Sequence, residues 1–320
     1  MLKKWMALTA ALMLVWSMAA AEEKTWTDAQ WAEMEQAVLA EGDQAEKLDT
    51  FPVTVDPNDL SVQEGLDESW MNILLMGTDT GSTQLNAGRT DSMILCSVNT
   101  VTGRVKLSTI ARDLYVEIPL TGGHKNRINT ANRFGGPYLA IKTVNETLKM
   151  NVTRYCSINF KGFSAIVDQL DGVDIQLTGG EAEEIGKSAD YPARDQDGVA
   201  HLNGAQALAY CRIRNLDNNF GRSNRQRKFL EAMMDKVMRS NSLDGILGLV
   251  EKTMAYLDTN LSAGDVMALI FAVATQYQGL EMNSVPGNGE FTYQVIREMD
   301  VVVADAEKMT ASLHSFIYEQ

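Results

Sequence analysis

The chain has 320 residues with 42 acidic and 28 basic side chains, which gives a formal net charge of −14. So acidic a composition argues against nucleic acid as a partner, because phosphate backbones need a basic face. Three cysteines and three histidines are present. Their spacing matches neither a disulfide framework nor a zinc site, so we predict buried free thiols and no zinc chemistry.

The N-terminus has the three parts of an export signal. Lys3 and Lys4 precede an apolar run over residues 5–18, and Ala19–Ala21 provide a small-residue cleavage site. The run is shorter than the ~20 residues of a typical membrane span. Two alternatives stay open for residues 1–21: a cleaved signal peptide or an uncleaved N-terminal membrane anchor. Both place the rest of the chain outside the cytoplasm, in the cell envelope.

Most of the negative charge follows this signal. Residues 22–69 contain fourteen acidic residues and two lysines. Trp31, Met34 and Val38 recur at helical spacing and predict an amphipathic helix, whereas Asp56-Pro57 is typical of a linker. We interpret residues 22–69 as an acidic helical stalk or linker that holds the main domain, residues 70–318, off the membrane surface.

The main domain has the pattern of an α/β fold. Apolar runs predict strands over residues 71–76, 92–99, 104–110, 114–118, 155–159, 173–177 and 281–285. Helices are predicted over 128–134, 137–150, 160–170, 204–210, 224–240, 243–257 and 263–277. Residues 178–200 are rich in Gly, Asp and Glu and predict a loop. Strands alternating with helices indicate an α/β/α-type sandwich, in which helices flank a central mixed β-sheet.

Two aspartates lie at the ends of neighbouring predicted strands. Asp79 comes directly after the first strand, and Asp91 opens the second. Carboxylates at adjacent strand ends are able to hold Mg²⁺ while leaving coordination places for phosphate oxygens. We therefore predict a magnesium site there, the alternative being that each aspartate only caps a turn. Arg112 has two interpretations as well: contact with a bound anion, or a structural ion pair with its neighbour Asp113.

A basic cluster stands out in so acidic a chain. Five arginines and one lysine fall within residues 210–228. Arginine binds phosphate through a planar guanidinium that stays positively charged at neutral pH. Arg212 and Arg214 are two residues apart, so their side chains point the same way if the segment is extended. The cluster predicts a pocket for a phosphate or pyrophosphate.

The predicted helix over residues 224–240 contributes to the same pocket. Arg222 and Gln226 lie on the stripe that continues into the apolar core, at the end of the helix where free amide groups favour phosphate. Arg225, Arg227 and Lys228 lie off this stripe. We predict that these three are surface charges.

The motifs, taken in order, resemble the LytR-CpsA-Psr family of bacterial cell-envelope proteins. The resemblance is strongest over residues 70–240. It rests on Gly77-Thr78-Asp79, Arg89-Thr90-Asp91-Ser92, Ala111-Arg112-Asp113, Arg127-Ile128-Asn129-Thr130-Ala131 with Gly135-Gly136, Leu170-Asp171-Gly172-Val173, Leu202-Asn203-Gly204-Ala205-Gln206-Ala207-Leu208, and Arg212-x-Arg214 with Phe220-Gly221-Arg222-x-x-Arg225-Gln226.

The resemblance implies a phosphotransferase that moves an anionic glycopolymer, such as teichoic acid or capsular polysaccharide, from an undecaprenyl-pyrophosphate carrier to peptidoglycan. It implies a polyprenyl-binding apolar tunnel between the sheet and the helices over 137–150 and 160–170. The residues it implicates are Asp79 and Asp91 as Mg²⁺ ligands, Arg112, Arg212, Arg214, Arg222 and Gln226 in pyrophosphate binding, and Asp91, Arg112, Arg212 and Arg214 in catalysis. Asp91 is in addition a candidate base for the attacking hydroxyl.

Two other functions remain open. The chain is a polyprenyl-pyrophosphate hydrolase if water is the nucleophile, and a non-catalytic envelope sensor or attenuator if it binds polyprenyl phosphate without turnover. Two positions depart from the family pattern. Asn219 stands where an acid usually precedes Phe-Gly-Arg, and Gly81 stands where an arginine is frequent.

Overall fold

The structure is a computed structural model, and it describes residues 53–78, 88–213, 216, 225–226, 228–233, 236, 256–276 and 279–319. The predicted export signal, most of the predicted stalk and part of the basic cluster lie outside these residues. So do Asp79, Gly81, Arg214, Asn219 and Arg222.

Twelve strands are present in the described part of the chain. They are β1 (Trp70–Thr78), β2 (Thr90–Asn99), β3 (Val105–Ile110), β4 (Tyr115–Glu117), β5 (Lys125–Arg127), β6 (Arg154–Asn159), β7 (Val173–Gln176), β8 (Val199–Leu202), β9 (Leu257–Thr259), β10 (Leu280–Val285), β11 (Phe291–Ile296) and β12 (Met299–Ala304).

Six of these strands form the central sheet, in the order β10-β3-β2-β1-β6-β9. β1 runs antiparallel to β2 and parallel to β6, and β3 runs antiparallel to β2 and parallel to β10. The sheet is therefore mixed, as predicted. The other strands form three two-stranded antiparallel sheets, β4–β5, β7–β8 and β11–β12.

Helices cover both faces of this sheet. They are α1 (Thr130–Leu148), α2 (Phe160–Gln169), α3 (Gly179–Ile185), α4 (Gly204–Arg212), α5 (Ala263–Gln276) and α6 (Ala306–Tyr318), and residues 225–226, 228–233 and 236 are helical too. Successive side chains of a strand point to opposite faces. Ile73 to Met76 in β1 are all 3 % exposed or less, so both faces of the sheet are covered at this inner strand. The predicted sandwich is confirmed.

α1 is bent where two separate helices were predicted. Gly135 and Gly136 have non-helical backbone angles inside it, and Pro137 follows. A side chain at Gly135 would meet the Leu139 side chain at 2.8 Å and the Val53 carbonyl at 3.0 Å. The bend thus makes room for the incoming N-terminal segment, whose Val53 amide donates to the Phe134 carbonyl at 2.9 Å.

Residues 53–69, the end of the predicted stalk, are packed against the domain. Leu60 is buried, and its carbonyl accepts from Nδ2 of Asn145 at 2.8 Å. Nζ of Lys142 donates to Oδ1 of Asp59 at 3.0 Å and to Oγ of Ser61 at 2.7 Å. The predicted division of residues 1–52 into signal and stalk stays a prediction.

Several elements differ from the sequence-based expectation. Residues 178–200 contain α3 and β8 rather than a continuous loop, and residue 257 opens β9 rather than ending a helix. The chain beyond residue 286 contains β11, β12 and α6, none of which was predicted. Among the described residues, no helix is both long enough and apolar enough for a bilayer crossing.

The faces of α1 and α2 that were expected to line a polyprenyl tunnel lie in the core. Leu139 and Val144 of α1, and Phe163 and Ile166 of α2, have no exposed surface. Their burial accounts for their apolar character through packing alone. The tunnel stays a prediction.

Candidate active site

Three of the predicted site residues, Asp91, Arg112 and Arg212, lie at one end of the central sheet. Thr78, the last residue of β1, lies opposite Thr90 of β2 and beside Asn159 of β6. Asp91 therefore lies where β1 and β6 end and β2 begins. Arg112 follows the end of β3 at the same edge, because Ile110 is paired with Met93 of β2.

A β-bulge lies at Asp91. The pairing of β1 with β2 passes from Gly77–Ser92 directly to Thr78–Thr90, so that Asp91 is the extra residue. A bulge changes the direction of the side chain at that position and is frequent beside active sites. The Asp91 side chain is 8 % exposed.

Arg112 binds this carboxylate. Its Nη1 donates to Oδ1 of Asp91 at 2.8 Å, and its Nε donates to Oδ2 of Asp113 at 3.4 Å. The structural pair with Asp113 is therefore present, beside a shorter contact with Asp91, and the contact of Arg112 with a bound anion stays a prediction. Burial lowers the pKa of the Arg112 guanidinium, but the charges of Asp91 and Asp113 outweigh burial and raise the pKa above its ordinary value.

The Asn129 backbone connects the two strands that carry these residues. Its N–H donates to the Arg112 carbonyl at 3.3 Å, and its carbonyl accepts from the Thr90 amide at 3.2 Å. Arg127 lies 3.7 Å from Oδ1 of Asp113 and donates to the Asp300 carbonyl at 3.1 Å. Asn129 and Arg127 thus support the site through contacts with residues distant in the sequence. The only indication of this in the sequence is that both residues belong to the Arg127-Ile128-Asn129 motif.

Arg212 reaches the same edge from another element. It is the last residue of α4, and its guanidinium lies 5.1 Å from the ring centroid of Phe160, which follows Asn159. The expected extended conformation at Arg212 is wrong, because α4 continues through it from a capping box formed by Asn203 and Gln206. The argument that Arg212 and Arg214 point the same way as neighbours in a strand therefore fails.

The prediction that Arg225 is a surface charge is also wrong. Its side chain is 3 % exposed, its Nη2 donates to the Ile213 carbonyl at 2.9 Å, and its Nη1 lies 3.7 Å from Oε1 of Glu181. Helical spacing identifies the side chains that face the sheet, and Arg225 is not one of them. It is buried because it packs against a second helix, α3. Gln226 is half-buried and helical, and its role stays a prediction.

The described part of the chain contains no cluster of three or more His, Cys, Asp or Glu side chains able to hold a metal. A Mg²⁺ ion that relies on two carboxylates and on phosphate oxygens does not need such a cluster. Asp91 provides one hard oxygen ligand of the suitable type, so its chemistry fits magnesium.

The cysteines are free and buried, as predicted. Burial raises the pKa of the Cys96 thiol to about 12, and it is the main cause of a similar rise, also to about 12, at Cys156. The thiolate is the nucleophilic form of cysteine. Neither thiol is therefore a nucleophile at neutral pH.

Comparison with known proteins agrees with this geometry. The chain matches the LytR_cpsA_psr family over residues 27–314. It belongs to that family. The resemblance inferred from the motifs is thus confirmed, and the match includes most of the acidic segment that precedes the described residues.

Curated members of the family cover much of the chain. It is 29% identical over 246 residues to the polyisoprenyl-teichoic acid–peptidoglycan teichoic acid transferase TagU of Enterococcus faecalis, covering 74% of this chain and 78% of that protein. It is 31% identical over 245 residues to TagU of Bacillus anthracis, covering 74% and 76%.

The fold agrees as well. A solved structure of TagT bound to LIIa-WTA superimposes with a TM-score of 0.64 at 25% identity, covering 83% of this chain and 98% of that one. The α/β fold expected from the family is therefore confirmed.

Proposed function

We propose that this protein is a phosphotransferase that moves an anionic glycopolymer from a polyprenyl-pyrophosphate carrier to peptidoglycan in the cell envelope. The observation that carries the proposal is the contact between Arg112 and Asp91 at the strand ends, with Arg212 at the same edge. Family membership and the teichoic acid transferase activity of the TagU relatives support it.

The proposed chemistry follows from charge. A diphosphate resists nucleophilic attack because its oxygens repel the incoming group. Arg112 and Arg212, with Arg214 and Arg222 as further proposed ligands, would bind these oxygens and stabilise the charge that grows on the leaving phosphate. Gln226 would donate to the same group.

The reaction exchanges one phosphorus–oxygen bond for another. A hydroxyl of peptidoglycan attacks the sugar-bearing phosphorus, the bond to the bridging oxygen breaks, and polyprenyl phosphate leaves with the bonding electron pair. Asp91 would accept the hydroxyl proton, which the leaving phosphate or solvent finally receives. The first turn of α2, which begins at Phe160, lies beside Arg212 and would help to position the donor.

Magnesium is part of the proposal. Asp91 and Asp79 would hold the ion, which would supply positive charge to the diphosphate oxygens. Asp91 already accepts a hydrogen bond from Arg112. Asp91 would thus orient both the Mg²⁺ ion and the Arg112 guanidinium towards the diphosphate.

A transfer assay with a lipid-linked teichoic acid precursor tests the proposal. We expect polymer to appear on added peptidoglycan, with polyprenyl phosphate released in equal amount. The Arg112→Ala variant should lose about 100-fold or more in rate. Release of polyprenyl phosphate at the same rate without peptidoglycan would instead indicate a hydrolase. Tight lipid binding without turnover in the presence of Mg²⁺ would indicate a sensor.

A further inference from the structure

A buried ion pair contacts the end of α4, the helix whose last residue is Arg212. The side chains of Arg225 and Glu181 are 3 % and 8 % exposed, and Nη1 of Arg225 lies 3.7 Å from Oε1 of Glu181. Nη2 of the same guanidinium donates to the Ile213 carbonyl at 2.9 Å. In the sequence, Ile213 stands between Arg212 and Arg214.

Ile213 is the point at which the chain leaves α4. It is the C-cap residue, with φ −54° and ψ 124°, so the helical hydrogen-bond pattern stops there. Carbonyls at a helix C-terminus need partners from outside the helix. Arg225 provides one for the Ile213 carbonyl, and it thereby holds the backbone directly after Arg212.

The other end of the ion pair is also held in place. Oε2 of Glu181 accepts from the Thr178 amide at 2.9 Å and from its hydroxyl at 3.1 Å, within the capping box of α3. Glu181 therefore has little freedom to move. A buried charge is stable only when it is paired and hydrogen-bonded, so Glu181 anchors Arg225, and Arg225 anchors the end of α4.

We propose that Arg225 is a positioning residue for pyrophosphate binding. It acts through the Ile213 carbonyl to hold the guanidinium of Arg212 in place over Phe160. Glu181 holds Arg225 by its charge. This inference rests on the proposed function and deepens it, because it explains how a helix end presents phosphate ligands.

Binding of farnesyl diphosphate, measured by calorimetry on the full chain, tests the proposal. Arg225→Met removes both contacts. Arg225→Lys keeps the charge beside Glu181, but one ammonium replaces two separate Nη donors, so this variant is expected to fold. Each change is made in the unmodified chain and in an Arg212→Ala background. Lys228→Met, an exposed position on the same helix, is the matched control, and thermal unfolding checks the fold of each variant.

We expect Arg225→Met to weaken binding and to lower the transfer rate, the latter by about 100-fold, because small displacements of binding groups have effects of that size. Arg225→Lys should show a smaller loss with an unchanged thermal midpoint. In the Arg212→Ala background, the further loss from either change should largely vanish, since both changes disable one binding group. Lys228→Met should bind like the unmodified protein.

Equal losses in both backgrounds would show a general structural role and would overturn the inference, as would a folded Arg225→Lys variant with unchanged affinity and rate. These outcomes leave the proposed function intact. Failure of the unmodified protein to bind farnesyl diphosphate would overturn the proposed function, and the inference with it.

Discussion

The guanidinium of Arg112 and the carboxylate of Asp91 join the segment after β3 to the start of β2, with 2.8 Å between Nη1 and Oδ1. The Asp91 side chain is 8 % exposed and that of Arg112 is 35 % exposed. The arginine thus compensates a carboxylate that is nearly buried, while part of its own surface stays accessible to a ligand. The ion pair is therefore more than a stabilising contact: it places a positive charge at the sheet edge.

Asp91→Asn separates the charge of this residue from its shape. The amide keeps an oxygen that accepts from Arg112, but it is a poor ligand for Mg²⁺. We expect transfer to fall by about 100-fold and half-maximal activity to require more Mg²⁺. The measurement is a Mg²⁺ titration of the transfer rate after treatment with a chelator.

Asp113→Asn is the control for this change, because Asp113 also contacts Arg112 but is not a proposed metal ligand. Its Mg²⁺ dependence should match that of the unmodified protein. Full activity in the presence of excess chelator would remove magnesium from the mechanism.

Arg212→Ala should weaken binding of a polyprenyl diphosphate by about 1.5–3 kcal/mol, the usual contribution of a hydrogen bond to a charged group. The free energy of unfolding should change by less than about 1 kcal/mol, because a cation–π contact such as that of Arg212 with Phe160 contributes no more than this at a partly exposed site. Calorimetry and urea unfolding measure the two effects. Arg194→Ala, at an exposed position, should change neither, and equal loss of binding in both variants would contradict the assignment.

Lys142→Met should loosen residues 53–69. The Lys142 ammonium donates to Asp59 and Ser61, and it is nearly buried. Both acceptors stay accessible to water, so losing the hydrogen bonds from Lys142 is expected to cost about 0.5–1.5 kcal/mol. Hydrogen exchange should then rise over residues 53–63 while β1 stays protected. Lys125→Met, at an exposed position, should leave exchange there unchanged, and an unaltered pattern in Lys142→Met would exclude the proposed anchoring.

Asp265 makes stability depend on pH through the start of α5. Its carboxylate accepts from the amide and hydroxyl of Ser262 and from Nε of Arg154. Burial raises the pKa of Asp265, but these hydrogen bonds and the charge of Arg154 outweigh burial, so the pKa lies below its ordinary value. The stabilisation is therefore complete above the unfolded pKa of about 3.9 and is lost as the pH falls through the folded pKa.

Asp265→Asn should lower the free energy of unfolding at pH 7 by about 1 kcal/mol, as expected for a weakened helix cap. It should also flatten the fall in stability as the pH drops below about 4. Urea unfolding across this pH range measures both effects. Asp197→Asn, at an exposed loop position, is the control. Parallel pH profiles for Asp265→Asn and the unmodified protein would refute the role of this carboxylate.

The bend in α1 and seven of the strands were accessible from the sequence because their causes are local, the seven strands being β1, β2, β3, β4, β6, β7 and β10. A run such as Ile73 to Met76 must be buried whatever it packs against, and Gly135-Gly136 interrupts a helix in any context. α3 was missed, although Thr178 and Glu181 have the spacing of a capping box. α6 was also missed, although Asp305 and the apolar series Met309, Leu313 and Ile317 mark its start and its buried face.

Arg225 shows why part of the site could not be predicted from local sequence patterns. Helical spacing identifies the side chains that face the sheet, and Arg225 is off that stripe. Its partners, Glu181 and Ile213, belong to two other helices. No pattern within its own helix carries that information. The same holds for Arg112 and Asp91, whose contact requires β2 and β3 to lie side by side in one register.

By itself, the sequence determined which segments are buried, where the helices are interrupted, and to which family the ordered motifs belong, because hydrophobic periodicity and motif order are properties of neighbours along the chain. Tertiary structure alone decided that Asp91 occupies a bulge beside Arg112 and that Arg225 is a buried support rather than a surface charge. The physical reason is that strand register and charge pairing depend on groups brought together by packing of the whole domain, over separations that no local pattern encodes.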